Sequence, residues 1–243
     1  MPMISNPFDT PFARKLKVFL PLASDELKWL AEIQVTPSVV ERGKQLIQEG
    51  QNGHKVFVVQ AGWTCGYKAL PSGGRQIISF QIAGDCVGLR SVMLRTPDPS
   101  FSALTDVVVS SVEGEDILRG VHEYPRLGAA ILWAASRDEA MVVEHLVNAR
   151  HRSAIERTAY LFMELAERLN LVGLATEAEF KCPLSRSVLA DALGLTDILV
   201  SRVLRQLREQ DLLTLEKGIA RIHDLKGLRK LAGYQGGYLN SRN

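Results

Sequence analysis

A long stretch of helix-compatible sequence in the middle of the chain limits most strongly what this protein can fold into. Pro125 can start a helix, and no strong helix breaker follows it before Arg150. A helix of roughly 26 residues is about 39 Å long, which is unusual for a domain of ordinary size. The rest of the protein therefore has to pack along this helix or beyond its ends.

The apolar side chains of this predicted helix form two neighbouring stripes. The stripes are Leu127, Ile131, Ala134 and Met141, and Leu132, Ala135, Val142 and Leu146. So wide an apolar face needs two packing partners. We expect its own chain on one side and the same helix of a second subunit on the other, although Asp138, Glu139 and His145 interrupt a strict seam. The alternative is a long helix buried within one chain.

Short β-rich runs punctuated by glycine precede the helix. They are residues 55–59, 76–80 and 103–109, separated by Gly62, by the segment 71–74 and by Gly84-Asp85. Regular spacing of this kind is typical of a small β-sandwich or barrel. After the long helix, residues 153–170 predict another helix with a regular apolar face.

Two short helices joined by a tight turn are predicted between residues 185 and 210. Ser185 and Thr196 are good N-cap residues, and Gly194 lies where the first helix needs a residue that tolerates positive φ. Residues 212–215 and 219–222 then predict a hairpin around the turn 216–218. This order is typical of a winged helix-turn-helix, which places its second helix in the major groove of duplex DNA.

One face of that second helix is not needed for packing. Its side chains can contact the edges of bases in the major groove. It carries Asp197, Ile198, Ser201, Arg202 and Arg205. Arg202 can donate two hydrogen bonds to guanine, Ser201 can reach a base or a phosphate, and Asp197 can accept one from cytosine. The alternative is a solvated face whose arginines pair with neighbouring acids.

Charge and cysteine content exclude several classes of protein. The formal net charge of +2 is too small to indicate nucleic acid by itself, so the DNA-binding prediction rests on local pattern. Three widely spaced cysteines predict neither a disulfide framework nor a zinc site, and five histidines without paired spacing predict no other metal site. No segment approaches the ~20 apolar residues of a membrane span, and we expect a cytoplasmic protein.

Several motifs, in the same order as these elements, resemble the CRP/FNR (catabolite activator / fumarate-nitrate reduction regulator) family of bacterial transcription regulators. They are residues 46–50, residues 56–59 with Gly62, residues 84–88, residues 189–196 and Ser201-Arg202. The resemblance covers residues 20–238. It implies an α+β fold with an N-terminal cyclic-nucleotide-binding-like β-roll (jelly roll), a long dimerisation helix and a C-terminal winged helix-turn-helix.

The resemblance also implies domain limits and partners. Residues 1–122 hold an N-terminal helix and the β-roll sensor domain, residues 123–150 the dimerisation helix, and residues 151–243 the DNA-binding domain with a C-terminal tail. The implied protein is not an enzyme and has no cofactor. It is a homodimer that binds a pseudo-palindromic operator in double-stranded DNA and acts on RNA polymerase.

The family's DNA contacts carry over to some positions and not to others. Arg202 matches the base-contacting arginine, Ser201 a base-contacting position of the oxygen-responsive branch, and Arg186, next to Ser185, a phosphate contact. Ile198 departs from the pattern, since the best-known members have a glutamate there that contacts cytosine. An isoleucine can touch only a thymine methyl group or pack, so the family's familiar half-site is not expected.

The sensor domain departs further from cyclic-nucleotide-binding members. Cyclic-nucleotide-binding members share a glutamate soon after the last glycine of the β-roll, whereas in this chain Leu89 follows Gly88. Those members also share an arginine-serine or arginine-threonine pair that holds the phosphate, and Phe101-Ser102 stands in its place. A buried phosphate without that arginine is costly, so we expect no tight binding of cyclic AMP. The cysteines that carry an iron–sulfur cluster in the oxygen-sensing branch are missing, and nothing supports haem.

Weaker candidates for the signal remain. Arg90, Ser91 and Arg95 are candidates for holding another anion, with simple solvation as the alternative. Oxidation of Cys182, just before the DNA-binding helices, is a candidate redox switch. A competing prediction from another class is a small-molecule or redox sensor whose helical C-terminal domain binds protein rather than DNA. An enzyme ranks last, because no catalytic triad, phosphate loop or paired carboxylates are evident.

Overall fold

The computed structural model describes residues 8–50, 55–71, 73–94, 99–176 and 178–239, and it shows two compact units. The first unit comprises the described residues up to Lys68 together with Phe80–Asp138. The second comprises Ala69–Ser79 and the described residues from Glu139 onwards. In these ranges, no helix combines the length and the apolar character needed to cross a membrane.

The first unit begins with two helices and continues as a β-roll. The helices are α1 (Pro11–Lys17) and α2 (Ser24–Glu32). The strands are β1 (Pro37–Val40), β2 (Gln45–Ile47), β3 (Lys55–Ala61), β4 (Thr64–Leu70), β5 (Gly74–Gln81), β6 (Cys86–Val87), β7 (Ser100–Ala103) and β8 (Val107–Glu113). They form two four-stranded sheets with the orders β1-β8-β3-β6 and β2-β7-β4-β5. The predicted sandwich or barrel is confirmed as a β-roll of two sheets.

One predicted strand is wrong in its extent. Residues 103–109 belong to two strands, because β7 ends at Ala103 and β8 begins at Val107. The turn between them passes over Gly62, whose φ is +90° and where a Cβ atom would collide with the Asp106 carbonyl. The backbone N–H of Leu104 donates to the Trp63 carbonyl at 2.8 Å. The chain thus turns within an apparently continuous β-rich run, where it contacts the turn between β3 and β4.

Helices cover one side of the β-roll in the first unit. They include α3 (Leu89–Met93), α4 (Gly114–Glu123) and the first part of α5 (Pro125–His151). Leu16, Leu30 and Leu127 are fully buried in a shared apolar cluster with residues of β3 and β8. Within this unit the buried carboxylate of Asp85 accepts from Lys15 at 2.9 Å and from Arg137 at 3.4 Å.

The long helix α5 confirms the prediction from Pro125 onwards and ends one residue beyond the predicted limit. The two predicted stripes have different surroundings. Leu127, Ile131, Ala134 and Met141 are all buried within the chain. By contrast, Leu132 is 68% exposed and Leu146 is 63% exposed. One stripe therefore packs on the chain itself, and the other is left on the surface.

The second unit carries the remaining elements. They are α6 (Ala154–Leu171), β9 (Glu179–Lys181), α7 (Arg186–Leu193), α8 (Asp197–Glu209), β10 (Leu213–Glu216), β11 (Ile219–Ile222), α9 (Leu225–Ala232) and a 3₁₀ turn (Gly237–Leu239). Its core includes Phe162, Leu165, Leu189, Leu207 and Leu228. The wing has three antiparallel strands in the order β10-β11-β9. The sequence predicted the β10–β11 hairpin and missed β9.

Candidate DNA-binding site

The helix-turn-helix begins and ends at the residues that the sequence predicted. The Ser185 hydroxyl accepts from the Val188 N–H at 3.2 Å and caps α7. Gly194 ends α7 with φ +63°, which other residues adopt only with strain. The Thr196 hydroxyl accepts from the Leu199 N–H at 3.3 Å and caps α8. Local capping chemistry therefore sets where α7 begins and ends and where α8 begins.

The last turn of α7 is held by side chains that are remote in sequence. The Gln76 side-chain amide donates to the Asp191 and Ala192 carbonyls at 2.9 and 3.2 Å. Arg75 forms an ion pair with the Asp191 carboxylate at 2.8 Å, and Arg157 donates to a further carbonyl of the same turn. These bonds satisfy carbonyls that a helix C-terminus leaves without intrahelical partners. Sequence analysis missed these residues, since Gln76 lies in a predicted strand.

One face of α8 is buried and the opposite face is open to solvent. Val200, Val203 and Leu207 are buried in the second unit. On the other face Asp197, Ile198, Arg202 and Arg205 are exposed and Ser201 is half-buried. The structure thus places the five predicted α8 residues outside the core of the unit.

Ile198 is 76% exposed, the highest value among the exposed large hydrophobic side chains of the described residues. Its family counterpart is polar, and a packing role would require burial. The exposure leaves the methyl groups of Ile198 open to a partner. A thymine methyl group is the base feature in the major groove that an aliphatic side chain suits.

The polar side chains of α8 differ in whether they already form hydrogen bonds or ion pairs within the chain. Arg202 has no ion-pair or hydrogen-bond partner among the described residues. Arg205 lies 3.5 Å from the Glu209 carboxylate in an exposed pair, which matches part of the alternative of a solvated face. The Ser201 hydroxyl donates to the Asp197 carbonyl at 2.8 Å, so it retains lone pairs that can accept. Arg202 and the exposed Asp197 carboxylate are therefore the polar side chains of this face without a partner among the described residues.

Ser185 and Arg186 lie at the start of α7 and are both exposed. The Ser185 hydroxyl is engaged as the N-cap and lies 2.9 Å from the Ser187 hydroxyl. Arg186 keeps its guanidinium available, since no described residue pairs with it. The two residues thus differ, with Ser185 shaping the helix end and Arg186 offering a positive charge beside it.

Two family models match the parts of the chain described above. Residues 37–124 match the cyclic nucleotide-binding domain, and residues 156–231 match the Crp-like helix-turn-helix domain. The chain belongs to the CRP/FNR family of transcription regulators. Both matches coincide with the β-roll and with the winged helix-turn-helix of this regulator.

Relatives and solved structures agree with this assignment. The Anaerobic regulatory protein of Haemophilus influenzae is 26% identical over 87% of this chain and 82% of its own length. The Nitrogen fixation regulation protein FixK of Azorhizobium caulinodans is 29% identical, covering 86% of each chain. The structure of FixK2 from Bradyrhizobium japonicum is similar in fold, with a TM-score of 0.72 and 24% identity over 82% of this chain and 98% of that one.

In the β-roll, the position that the resemblance matches to the family's phosphate-binding arginine is apolar. Phe101 is 8% exposed and packs in a cluster with Val59, Val87 and Val109. Ser102 next to it is buried, and its hydroxyl lies 3.5 Å from the Cys65 sulfur. A neutral and apolar wall at this position cannot compensate the charge of a phosphate.

The candidate anion-binding residues of the following segment are only partly described. Arg90 is exposed on α3, and the Ser91 hydroxyl donates to the Gly88 carbonyl at 2.8 Å. Arg95 lies outside the described residues. The structure therefore shows one exposed cation and one hydroxyl engaged with its own backbone.

Cys182, the candidate redox residue, is 1% exposed. Burial raises the pKa of its thiol to about 12, although a hydrogen bond with the Leu184 backbone acts in the opposite direction. Oxidants react with the thiolate, which is scarce at neutral pH for such a thiol. The surroundings of Cys182 therefore oppose a redox switch at this residue.

Proposed function

We propose that this regulator binds a pseudo-palindromic operator as a homodimer, with α8 of each subunit in the major groove of one half-site. The observation that carries this proposal is the open face of α8, on which Arg202 has no partner among the described residues and Ile198 is 76% exposed. A groove that offers both guanine acceptors and thymine methyl groups suits the two together.

Each exposed residue has a distinct role in this proposal. Arg202 donates two hydrogen bonds to the O6 and N7 atoms of one guanine, and Ile198 contacts a thymine methyl group. Ser201 accepts from a base or lies close to a phosphate, and Asp197 accepts from a cytosine amino group. Arg186 and Arg205 contact phosphates, which position the helix and carry little sequence information.

The exposed stripe of α5 supports the homodimer. Leu132 and Leu146 are two heptads apart, so they lie on one line of the helix. Both side chains are exposed on the surface of the chain. The same stripe on a second copy is complementary to it by symmetry. Two copies joined there carry two copies of α8, as a palindromic operator requires.

The signal that this regulator senses differs from cyclic AMP in our proposal. Phe101 occupies the position of the family's phosphate-binding arginine and is part of the apolar core of the β-roll. The sensor domain instead suits a signal that brings no phosphate charge to that position. As a transcription regulator the protein acts through RNA polymerase in the cytoplasm, and we assign it no catalytic residue.

Operator selection tests the proposal directly. The purified full chain is incubated with a pool of random duplexes, and the selected sequence is footprinted. We expect two protected half-sites in inverted repeat, with centres about 34 Å apart, or one helical turn. A failure to select any sequence, or a single asymmetric footprint, contradicts the proposal and favours a C-terminal domain that binds protein.

Two arginine variants then separate base contacts from phosphate contacts. Arg202→Ala should lose ~1 to 3 kcal/mol for the selected operator and relax the preference at one base position. Arg186→Ala should weaken binding to all sequences alike. Arg119→Ala, which removes an exposed charge of α4 paired with Asp116, is the matched control and should bind as the wild type does. Unchanged operator affinity in Arg202→Ala would rule out the assigned base contact.

A further inference from the structure

The C-terminal helix α9 has a buried apolar side and an exposed basic side. Leu228 and Ala232 are fully buried, and α9 packs against α6 within the second unit. Lys226, Arg229 and Lys230 are exposed, and their spacing of three and four residues places them on one face of the helix. These three residues are the basic face of α9. The burial of α9 therefore rests on the other side of the helix.

The chain itself provides no countercharge for the basic face of α9. Among the described residues, none forms an ion pair or a hydrogen bond with the three cations. The guanidinium carbon of Arg229 lies 5.6 Å from the centre of the Tyr234 ring, which is an aromatic contact without charge. Residues 225–243 contain four lysines and arginines and no acid, whereas residues 1–224 contain 25 lysines and arginines against 27 acids. Positive charge is thus concentrated in this segment.

The position of Lys226 is unfavourable for the helix that carries it. Lys226 lies in the first turn of α9, where the helix dipole disfavours a cation. It also precedes Arg229 by three residues and Lys230 by four, and like charges at these spacings repel each other. No acid of α9 relieves this repulsion. The charge of Lys226 is therefore not explained by the helix itself.

Two contacts at the start of α6 bring the end of α9 close to the helix-turn-helix. Arg152, which precedes α6, donates to the Gly233 carbonyl at the end of α9 at 3.4 Å. Arg157, in the first turn of α6, donates to the Leu193 carbonyl at the end of α7 at 2.9 Å. Asp197, the first residue of α8, follows Leu193 by four residues. The last turn of α9 and the start of α8 therefore both lie beside the start of α6.

The side chains of the basic face fit phosphate groups better than they fit another protein. Protein interfaces have apolar or aromatic residues at their centre, and charged residues are depleted there. None of the exposed large hydrophobic side chains of the described residues lies on α9. Lysine and arginine are side chains that contact DNA phosphates, and each strand of a duplex offers one phosphate about every 3.4 Å. A duplex docked on α8 therefore provides the countercharge that the chain lacks.

We propose that the basic face of α9 binds phosphates of the DNA duplex that α8 contacts. The inference rests on the proposed function and adds a second phosphate-binding element to it, separate from Arg186 and Arg205. Phosphate contacts attract a duplex without distinguishing its sequence. The basic face therefore raises the affinity for operator and random DNA alike, and base preference stays with α8.

The salt dependence of DNA binding by the full chain tests the inference. Lys226→Gln combined with Lys230→Gln removes two charges from each subunit, and Lys226→Arg combined with Lys230→Arg keeps them. Arg42→Gln combined with Lys44→Gln removes two exposed charges of the first unit and is the matched control. All of the replaced side chains are exposed, so the variants should keep the far-UV circular dichroism of the wild type. Fluorescence anisotropy then measures binding to the operator and to a random duplex over a range of salt concentrations.

The glutamine variant should bind both duplexes more weakly and with less dependence on salt. Each phosphate contact contributes about 0.9 to the slope of log affinity against log salt concentration, and a dimer loses up to about four lysine contacts. We therefore expect the slope to become shallower by about two to four. Affinity at ~0.1 M salt should fall on the order of tenfold for operator and random duplex alike. The arginine variant and the control should bind as the wild type does.

Phosphate ethylation interference on the operator locates the contact. Ethylation removes the charge of one phosphate at a time. The wild type should be impaired by ethylation at phosphates to which the glutamine variant is insensitive, and these should number about one or two in each half-site. Identical interference patterns for the two proteins would contradict a direct contact.

The outcomes separate this inference from the proposed function. If the glutamine variant binds the selected operator with the affinity and salt slope of the wild type, the inference is wrong and the regulator stays as proposed. An equal loss in the Arg42 and Lys44 control also overturns it, since the effect then follows the net charge of the chain. If the wild type selects no operator, the proposed function fails, and the random duplex still tests the basic face. A wild type that binds neither duplex makes both wrong.

Discussion

Ile198 is the residue at which this regulator departs most clearly from the chemistry of its better-known relatives. The side chain has no hydrogen-bonding group, and its 76% exposure shows that the fold does not use it for packing. An isoleucine this exposed removes little apolar surface from water within the second unit. In our proposal, contact with a thymine methyl group buries this side chain, which the fold itself leaves exposed.

Replacement of thymine by uracil in the operator tests this contact at the level of one methyl group. Uracil keeps every hydrogen-bonding group of thymine and lacks only the methyl. Loss of one buried methyl costs about 0.8 kcal/mol, so the wild type should bind roughly fourfold more weakly when one particular thymine is replaced. Ile198→Ala should bind the thymine and uracil operators almost equally. Equal discrimination by both proteins in a gel-shift titration would exclude the contact.

At the scale of elements, a buried polar contact joins the C-terminal half of α5 to α6. The imidazole Nε2 of His145 lies 2.9 Å from a Glu164 carboxylate oxygen, and Glu164 is 1% exposed. Arg168 holds the other oxygen of the same carboxylate at 3.4 Å. Burial by itself would lower the pKa of His145, but attraction to Glu164 and the hydrogen bond outweigh it, so the pKa lies above its usual value of 6.5.

This pair predicts a pH dependence of the free energy of unfolding. Because the folded pKa of His145 exceeds the unfolded value, the stabilisation is full below about pH 6.5 and is lost as the pH rises through the folded pKa. Urea unfolding should therefore show the wild type losing stability relative to His145→Gln as the pH rises above about 6.5. His151→Gln, at the exposed end of α5, is the control and should follow the wild type. Parallel curves for the wild type and His145→Gln would contradict the role of the pair.

At the scale of the whole molecule, the protein has the family fold, and our proposal assigns its sensor domain a different chemistry. The β-roll, the long helix and the winged helix-turn-helix follow the family order, and the matches to both family models lie where the structure has the corresponding elements. Within the β-roll, Phe101, which the resemblance matches to the family's phosphate position, is part of an apolar cluster. In the function proposed above, a common architecture therefore carries a different signal.

Calorimetry with cyclic AMP tests that difference on the intact protein. A cyclic phosphate at this position would lose its water without gaining a cation, so we expect no binding at micromolar ligand concentrations. Titration of the same sample with the selected operator duplex is the control for active protein. Micromolar affinity for cyclic AMP would overturn the prediction and would require another cation at the site.

The local features of the DNA-binding unit were predictable from sequence because their causes are local. Ser185 and Thr196 cap their helices through bonds to N–H groups three residues away, and Gly194 supplies the left-handed backbone between them. Strand β9 was missed because it has only three residues and pairs with β11, about 40 residues further along the chain. The Gln76 bonds to α7 were missed for the same reason, since they span 115 residues or more of sequence.

The sequence by itself determined the order of the β-roll, the long helix and the winged helix-turn-helix, the start of α5, the limits of α7 and the start of α8. It also identified the residues of α8 that lie outside the core. Capping, backbone φ and apolar periodicity act over a few residues, so they are visible in sequence. Only the tertiary structure decided which stripe of α5 is buried, where residues 103–109 turn, and that Cys182 is inaccessible. The burial of a residue depends on which distant segments pack against it, so a short stretch of sequence cannot reveal it.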